Sequence, residues 1–397
     1  MESNGIRSGT AGNGIKVWSF DFFAVPGRAI PDFEDPSTVQ ATFDGNLDRL
    51  VRLEGDGFEG VFFSEHHFLN SLSPTPNLLI AALAKMTTRM RLGVMGNVLA
   101  FHQPFRLAEE LAMLDYLTDG RLEIGVASGV PPEFLFVDMP AQEIRPRFAE
   151  MLDFLDLAYQ QKFVTYRGEY YQAEDVPLMP RPRHEARRRH WMTIYSPETC
   201  ASAAHRGYKV CTGYQSNEKA RVAFDAYRAA AGESGRDSSP DDIGVRRQVL
   251  ICESDAHADE LQAEAWEADK ARIETIFALV FDRVARTTAA AEMASSVKES
   301  GVMDAASVSH GGSQNAAKPS AAGALPIDFE SEFIFGSPAT VTEKIIESCR
   351  YIGAGNIMQY HAQSLTEAEL DTHYRLFASI IPTLASAGIG EPSPAPA

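Results

Sequence analysis

Val61-Phe62-Phe63-Ser64-Glu65-His66-His67-Phe68 is the stretch on which the fold turns. A short apolar, aromatic run is followed at once by a carboxylate and two adjacent imidazoles. The run predicts a buried strand. The polar residues then fall at its C-terminal end, which is where chemistry collects in parallel α/β architectures. Taken alone, Glu-His-His is more often solvated polarity than a site, so the surrounding pattern decides.

Upstream, Ile15–Phe23 reads as a first core strand ending in Phe20-Asp21-Phe22-Phe23. Phe43, Leu47, Leu50 and Val51 recur at helical spacing, and Gly55 and Gly57 close that helix. Strand, helix, strand is the parallel βαβ signature. Downstream the alternation repeats. Strands are predicted at Met90–Val94, Arg121–Val126, Trp191–Ile194, Lys209–Thr212, Arg247–Cys252 and Asn356–Tyr360. Helices are predicted at Leu78–Lys85, Phe148–Tyr159, Lys219–Ala231, Ala256–Val284, Ser337–Tyr351 and Glu367–Ala385. With the first two, these make eight strands alternating with helices, as a (β/α)8 TIM barrel requires. A doubly wound open sheet would seldom need so many units.

Thr287–Ala324 departs from this rhythm. It is rich in Ala, Ser and Gly, has weak apolar periodicity, and falls between the seventh and eighth strands. It reads as a flexible insertion, expected to act as a lid over the functional face. The domain is expected to span 15–386, with loose tails at 1–14 and 387–397.

Composition narrows the function. The chain has 397 residues, 45% of them hydrophobic, and a formal net charge of −18. That charge argues against a general nucleic-acid or anionic-membrane binder. No apolar run is long enough to span a bilayer, and the polar Met1–Gly14 stretch is no secretory signal. Cys200, Cys211, Cys252 and Cys349 lie far apart, without metal-ligand or disulfide spacing, and read as reduced thiols. Together these point to the cytoplasm. The basic cluster from Arg181 to His190 leads into a strand, so it belongs on a solvated loop opposite the functional face.

Beyond Glu65, His66 and His67, two further constellations stand at predicted strand ends. Ser196-Pro197-Glu198-Thr199 follows the fifth strand, where a capped helix N-terminus with two hydroxyls can hold a phosphate; a plain N-cap is the bland alternative. The chain carries neither a Gly-rich dinucleotide fingerprint nor a Walker loop, so a mononucleotide phosphate is expected. The other constellation is Gly93–Pro104 around the third strand, where Gly96 and Asn97 permit close approach to a flat ligand. His102 there is read as pocket-lining, with a structural hydrogen bond as its commoner role. A metal hydrolase is the weaker reading of Glu65-His66-His67, because neighbouring side chains on an extended chain diverge.

In combination these residues resemble the bacterial luciferase-like flavin-dependent monooxygenases, from about Val17 to Leu384. The likeness rests on Ser64-Glu65-His66-His67-Phe68, Gly93–Pro104, Leu114-Asp115-Tyr116-Leu117-Thr118-Asp119-Gly120-Arg121-Leu122, Ser196-x-x-Thr199 and Phe335-Gly336-Ser337-Pro338. The resemblance implies a (β/α)8 barrel that takes reduced FMN from a separate flavin reductase and activates O2 as a flavin C4a-peroxide. An apolar organic substrate is then oxygenated. His66 is implied as the acid/base, with Glu65 and His67 orienting it. Ser196 and Thr199 match the flavin-phosphate positions, Met95-Gly96 falls where the family often has a cis peptide beneath the isoalloxazine, and Tyr214 falls where an aromatic can face the flavin. Asn97, Ser128 and Tyr195 complete the expected cofactor contacts. A homodimer is the usual assembly.

Two departures stand out. Luciferases proper carry a reactive cysteine and then a phosphate-holding arginine where this chain has Ala127 and Ser128. Flavin affinity is therefore in doubt or rests on another cation, and light emission from a long-chain aldehyde is not expected. Phe22, Phe23, Phe101, His102 and Phe134 are the expected substrate-pocket residues. A deazaflavin-dependent oxidoreductase and a catalytically silent flavin-binding homologue are the alternatives.

Overall fold

The computed structural model describes residues 14–68, 71–183, 189–286 and 332–390. Among them, β1 (Lys16–Asp21), β2 (Gly60–Phe63), β3 (Arg91–Val98), β4 (Leu122–Ala127), β7 (His190–Thr193), β8 (Lys209–Thr212), β9 (Ile243–Ile251) and β11 (Asn356–Tyr360) form a closed parallel barrel. Closure is made by the first half of β9. Ile243–Val245 pair with Val210–Thr212 of β8, while Gly244–Gln248 pair with β11.

Helices alternate with the strands as the periodicity requires. They are α1 (Pro36–Asp56), α2 (Pro76–Met86), α3 (Pro104–Leu117), the single turn α4 (Pro131–Phe134), α5 (Ala141–Gln160), α6 (Pro197–Arg206), α7 (Asn217–Glu233), α8 (Asp255–Arg286), α9 (Pro338–Ile352) and α10 (Glu367–Ser386). Local chemistry sets their starts. Asp35 caps α1, Ser196 caps α6, Ser216 caps α7 and Ser337 caps α9, each through a side-chain oxygen that accepts backbone N–H groups.

The barrel interior is aromatic. Trp18, Phe20, Phe62, Met95, Trp191 and Met358 form one buried cluster, with the Trp18 and Phe62 rings 4.8 Å apart and Phe62 and Trp191 5.7 Å apart. Truncating one of these rings to Ala should cost about 3–5 kcal/mol. A larger apolar layer lies between the strands and the helices.

Four features differ from or extend the expectation. Val164–Arg167 (β5) and Gln172–Val176 (β6) form an antiparallel hairpin beside the barrel; their polar sequences carry little strand signal. The predicted strand Arg247–Cys252 starts at Ile243, and its second half pairs with a further strand, β10 (Phe333–Gly336), rather than within the barrel. The C-terminal boundary expected at 386 lies too early, since Ala387 and Ile389 are buried against the core. Arg189 of the basic cluster donates to the carbonyls of Gly120 and Leu122 and pairs with Asp115 at 2.7 Å, so this end of the cluster is fixed at the start of β4, on the face expected. Residues 184–188, the expected lid Thr287–Ala324 and most of both tails lie outside the described residues.

Candidate active site

The strand ends place the predicted residues in two groups joined by one ring. At the ends of β2 and β3, Glu65 is the hub of the first. Its carboxylate accepts from the Val98 backbone N–H at 3.1 Å and lies 3.1 Å from Nε2 of both His67 and His102. Burial by itself raises the Glu65 pKa, but the bonds from His102 and His67 outweigh it and hold the carboxylate below its usual range. Burial pushes His102 down, and its contact with Glu65 more than reverses this, so the imidazole is raised.

His66 and His67 diverge, as neighbours on extended chain must. His67 packs edge-on against Phe101 and faces Glu65. His66 turns the other way, with Nδ1 2.7 Å from Oε1 of Glu133, a fully buried carboxylate at the end of α4. A carboxylate can only accept, so Nδ1–H is the donor; among the described residues Nε2 has no hydrogen-bond partner. Glu133 was not foreseen: Glu65 and His67 were the expected orienting partners, and among the described residues neither bonds His66. Glu133 lies in a Pro-Pro-Glu-Phe turn far along the chain, with no periodic signal to mark it.

Phe22 joins the groups. Its ring stacks on His66 at 5.9 Å and meets Tyr360 edge-on at 5.6 Å. Tyr360 and Tyr214 belong to the second group with Arg246, Arg247 and Glu332, and the sequence reading missed all of these but Tyr214. Glu332 is fully buried and accepts from the Tyr214 backbone N–H at 2.7 Å and the Tyr360 hydroxyl at 3.1 Å, with Arg247 at 3.4 Å. Arg246 lies over the Tyr214 ring at 4.3 Å and the Phe20 ring at 4.7 Å. Adjacent arginines on a strand were a legible oddity, since one of them had to point into the barrel.

The third strand runs on to Val98, past the end expected at Val94, so Gly96 and Asn97 lie within it. Met95–Gly96 is a cis peptide, and the strand's pairing with β4 shifts register between Val94 and Asn97. A Cβ at Gly96 would lie 2.5 Å from the Val126 carbonyl carbon, so only glycine fits here. Asn97 donates to Gly125 O at 2.8 Å and accepts from Asn77 at 3.0 Å.

Ser196 caps α6, and its hydroxyl lies 2.9 Å from the Thr199 hydroxyl. The exposed Glu198 carboxylate is held below its usual range by the Ser196 hydroxyl and its own backbone N–H. The helix end is thus covered by the chain's own anion. Tyr195 and Ser128 are exposed near their strand ends. A cavity of about 280 Å³ opens between α6 and α7, lined by Tyr195, Pro197, Gln215, Glu218 and Lys219. None of its lining residues belongs to the His66 group.

Two pocket expectations require correction. Phe23 is fully buried and packs on Phe43 and Phe63 in the layer between barrel and helices, because its side chain leaves the strand on the opposite side from Phe20 and Phe22, which face the interior. Phe134 is also fully buried, stacked behind Phe101 at 4.6 Å, and backs the pocket without lining it. Phe22, Phe101 and His102 are partly exposed.

A closed (β/α)8 barrel with a carboxylate–imidazole constellation at the C-terminal strand ends defines a TIM-barrel enzyme. The chain belongs to the luciferase-like monooxygenase family, whose model matches residues 27–355. It is 32% identical over 238 residues to an uncharacterized protein, y4wF, of Sinorhizobium fredii, covering 59% of this chain and 69% of that one. It is 26% identical over 230 residues to the oxygenase component of the flavin-dependent trigonelline monooxygenase of Acinetobacter baylyi, covering 56% of this chain and 63% of that one. In fold it is similar to the monooxygenase RslO1 of Streptomyces bottropensis, with a TM-score of 0.73 at 22% identity over 93% of this chain and 99% of that one. It is also similar to an F420-dependent secondary alcohol dehydrogenase, at a TM-score of 0.64 and 13% identity over 94% of this chain and 99% of that one. No helix among the described residues is long and apolar enough to cross a membrane.

Proposed function

We propose that the protein is the oxygenase component of a two-component system in the cytoplasm. It takes reduced FMN from a separate flavin reductase, oxygenates an apolar organic substrate with O2 without emitting light, and works as a homodimer. The observation that carries this reading is His66: buried Glu133 fixes its tautomer, Phe22 fixes its plane, and Nε2 is left open toward the mouth.

The residues present fit a flavin. Thr193, on the inward row of β7 with Trp191, has a buried hydroxyl without a hydrogen-bond partner, available to a polar ligand edge. Ser196 and Thr199 supply hydroxyls at a helix N-terminus suited to the phosphate, once Glu198 swings aside. Lys219, in the cavity beside Tyr195, takes the charge role of the arginine replaced by Ser128. Met95, Gly96 and Asn97 offer a flat backbone surface, with Tyr214 facing across the mouth. When bound, reduced FMN supplies the electrons with which O2 is activated.

The chain's own residues then divide the work. Nε2 of His66 holds or releases one proton at the reacting centre, a task suited to an imidazole. Glu133 stabilises the protonated ring. Glu65 keeps His67 and His102 in place, and the aromatic wall excludes water.

The test is to mix the full chain with photoreduced FMN in aerated buffer and follow flavin reoxidation. Reoxidation slower than that of free reduced FMN, with ¹⁸O from O2 appearing in product, is expected. Weak FMN binding together with tight binding of the deazaflavin coenzyme and oxygen-independent hydride transfer would replace this reading with the deazaflavin one. Unchanged turnover in His66→Ala would point to a silent or differently catalysed homologue.

A further inference from the structure

A smaller cavity, about 80 Å³, lies between β9, β11 and α8. Phe22, Tyr214 and Tyr360 form its apolar wall, and Gln248 and Asp269 its polar one. Asp269 is 7% exposed and Gln248 5%. Oδ1 of Asp269 and Oε1 of Gln248 are both buried without a close hydrogen-bond partner, while Oδ2 of Asp269 accepts from the Gln363 backbone N–H at 3.2 Å and the carboxylate as a whole is also drawn on by the hydroxyl and N–H of Ser364. Leaving a buried acceptor unpaired is costly, and two on one small cavity call for a donor. Turning the Gln248 amide over would exchange its oxygen for NH₂, but Asp269 offers an acceptor either way.

The surroundings select the donor. The Tyr214 and Tyr360 rings already carry the Arg246 guanidinium, at 4.3 Å and 5.6 Å, and Arg272 follows Asp269 on α8, so a second cation is disfavoured. An anion would face Asp269 directly. Burial keeps the Tyr214 and Tyr360 hydroxyls protonated, and His361, the remaining titratable group on the cavity, has Nδ1 3.0 Å from the Ala362 carbonyl. A neutral hydroxyl meets these conditions. At about 30 Å³ per water the space holds two or three waters, or the polar end of a larger molecule.

The position is rigid. Arg272, one turn on from Asp269, donates to the carbonyls of Val25, Gln363 and Ala29 and so binds α8 to the loops after β1 and β11. Phe22 borders both this cavity and His66, so a molecule anchored here and long enough to pass Phe22 would meet the imidazole.

We propose that this cavity receives the hydroxyl end of the substrate: a phenol or alcohol whose O–H is donated to Asp269, with its apolar frame against Phe22, Tyr214 and Tyr360. The word substrate rests on the oxygenase reading above; the preference for a hydroxyl rests on the cavity alone.

Phenol and fluorobenzene, close in size but only the first able to donate an O–H, test it on the full chain by titration calorimetry or ligand-observed NMR. Phenol should bind at least about tenfold more tightly than fluorobenzene. Asp269→Leu should abolish most of that preference, and Gln248→Met should reduce it. Phenol affinity should rise with pH through about 6, where Asp269 ionises, and Asp269→Asn, which keeps the shape, should be flat across that range. Equal binding of the two probes, no saturable phenol binding, or an undiminished preference in Asp269→Leu shown to be folded by circular dichroism would each overturn the proposal. FMN fluorescence quenching on the same samples keeps the two readings apart. Lost flavin binding with retained phenol preference would remove the oxygenase reading and leave the hydroxyl site standing.

Discussion

Nδ1 of His66 and Oε1 of Glu133 lie 2.7 Å apart, 67 positions apart in the chain, with the carboxylate fully buried and the imidazole open on its other side. This is the arrangement that sets a histidine's tautomer and supports its charged form. Glu133→Gln preserves a bond to Nδ1 but removes the charge. Oxygenation should fall roughly 10- to 100-fold, against about 10²- to 10⁴-fold for His66→Ala, which loses the proton carrier itself. The double variant should fall no further than His66→Ala alone, because Glu133 acts through that ring. Additive losses would show that Glu133 is only a packing partner.

Glu65 makes a different prediction, one of stability. Its folded pKa is held below 4.5, so its contribution is present above that value and lost as pH falls through the lowered one. His102 is raised above 6.5, so its contribution is present below that value and lost as pH rises through the raised one. The two overlap between pH 4.5 and 6.5. Within that window Glu65→Gln should be destabilised relative to the parent by about 1–3 kcal/mol, the cost of breaking a buried polar cluster, and the gap should narrow on either side. Denaturant melts across pH measure this; a gap independent of pH would contradict the ionised pair.

How much of this was visible beforehand follows from the range of each interaction. Val61-Phe62-Phe63 carries its strand assignment in four or five consecutive residues, and so do Ser196-Pro197 and Ser337-Pro338 as helix starts. Glu65, His66 and His67 could be placed at a mouth because a strand ends beside them. Glu133, Arg246 and Glu332 could not, because each acquires its role from a partner brought near only by barrel closure. Phe23 was legible too: alternation from Phe20 and Phe22 already sends its ring to the opposite face, where it is buried under the helices. Tyr214 was reachable since it follows a strand directly, whereas the carboxylate beneath its backbone comes from beyond a long insertion.

Glu198 supplies a prediction about the cofactor. Its carboxylate bonds the Ser196 hydroxyl and its own N–H, on the helix end where a flavin phosphate would have to sit. Anion and anion compete for the same dipole end. Glu198→Gln should therefore tighten FMN binding by roughly two- to fivefold at low ionic strength, with the gain shrinking in high salt. Ser196→Ala with Thr199→Ala should weaken binding instead. Fluorescence quenching titrations at two salt concentrations read both effects, and unchanged affinity in both variants would place the phosphate elsewhere.

Asp269 should reveal its burial in the stability curve of the empty protein. Burial lifts its pKa from 3.8 to about 6, against the opposing pull of Ser364 and Arg272. The folded chain therefore holds a proton that the unfolded chain releases, and stability declines as pH rises from 3.8 to about 6 and then levels. At about 1.4 kcal/mol per unit the full cost is on the order of 3 kcal/mol. Asp269→Asn cannot ionise and escapes it. The variant should match the parent near pH 4 and exceed its stability at pH 7 by a substantial part of that figure, reduced where water enters the cavity. A variant less stable than the parent at pH 7 would mean that the Asp269 carboxylate has a partner in solution that makes ionisation favourable.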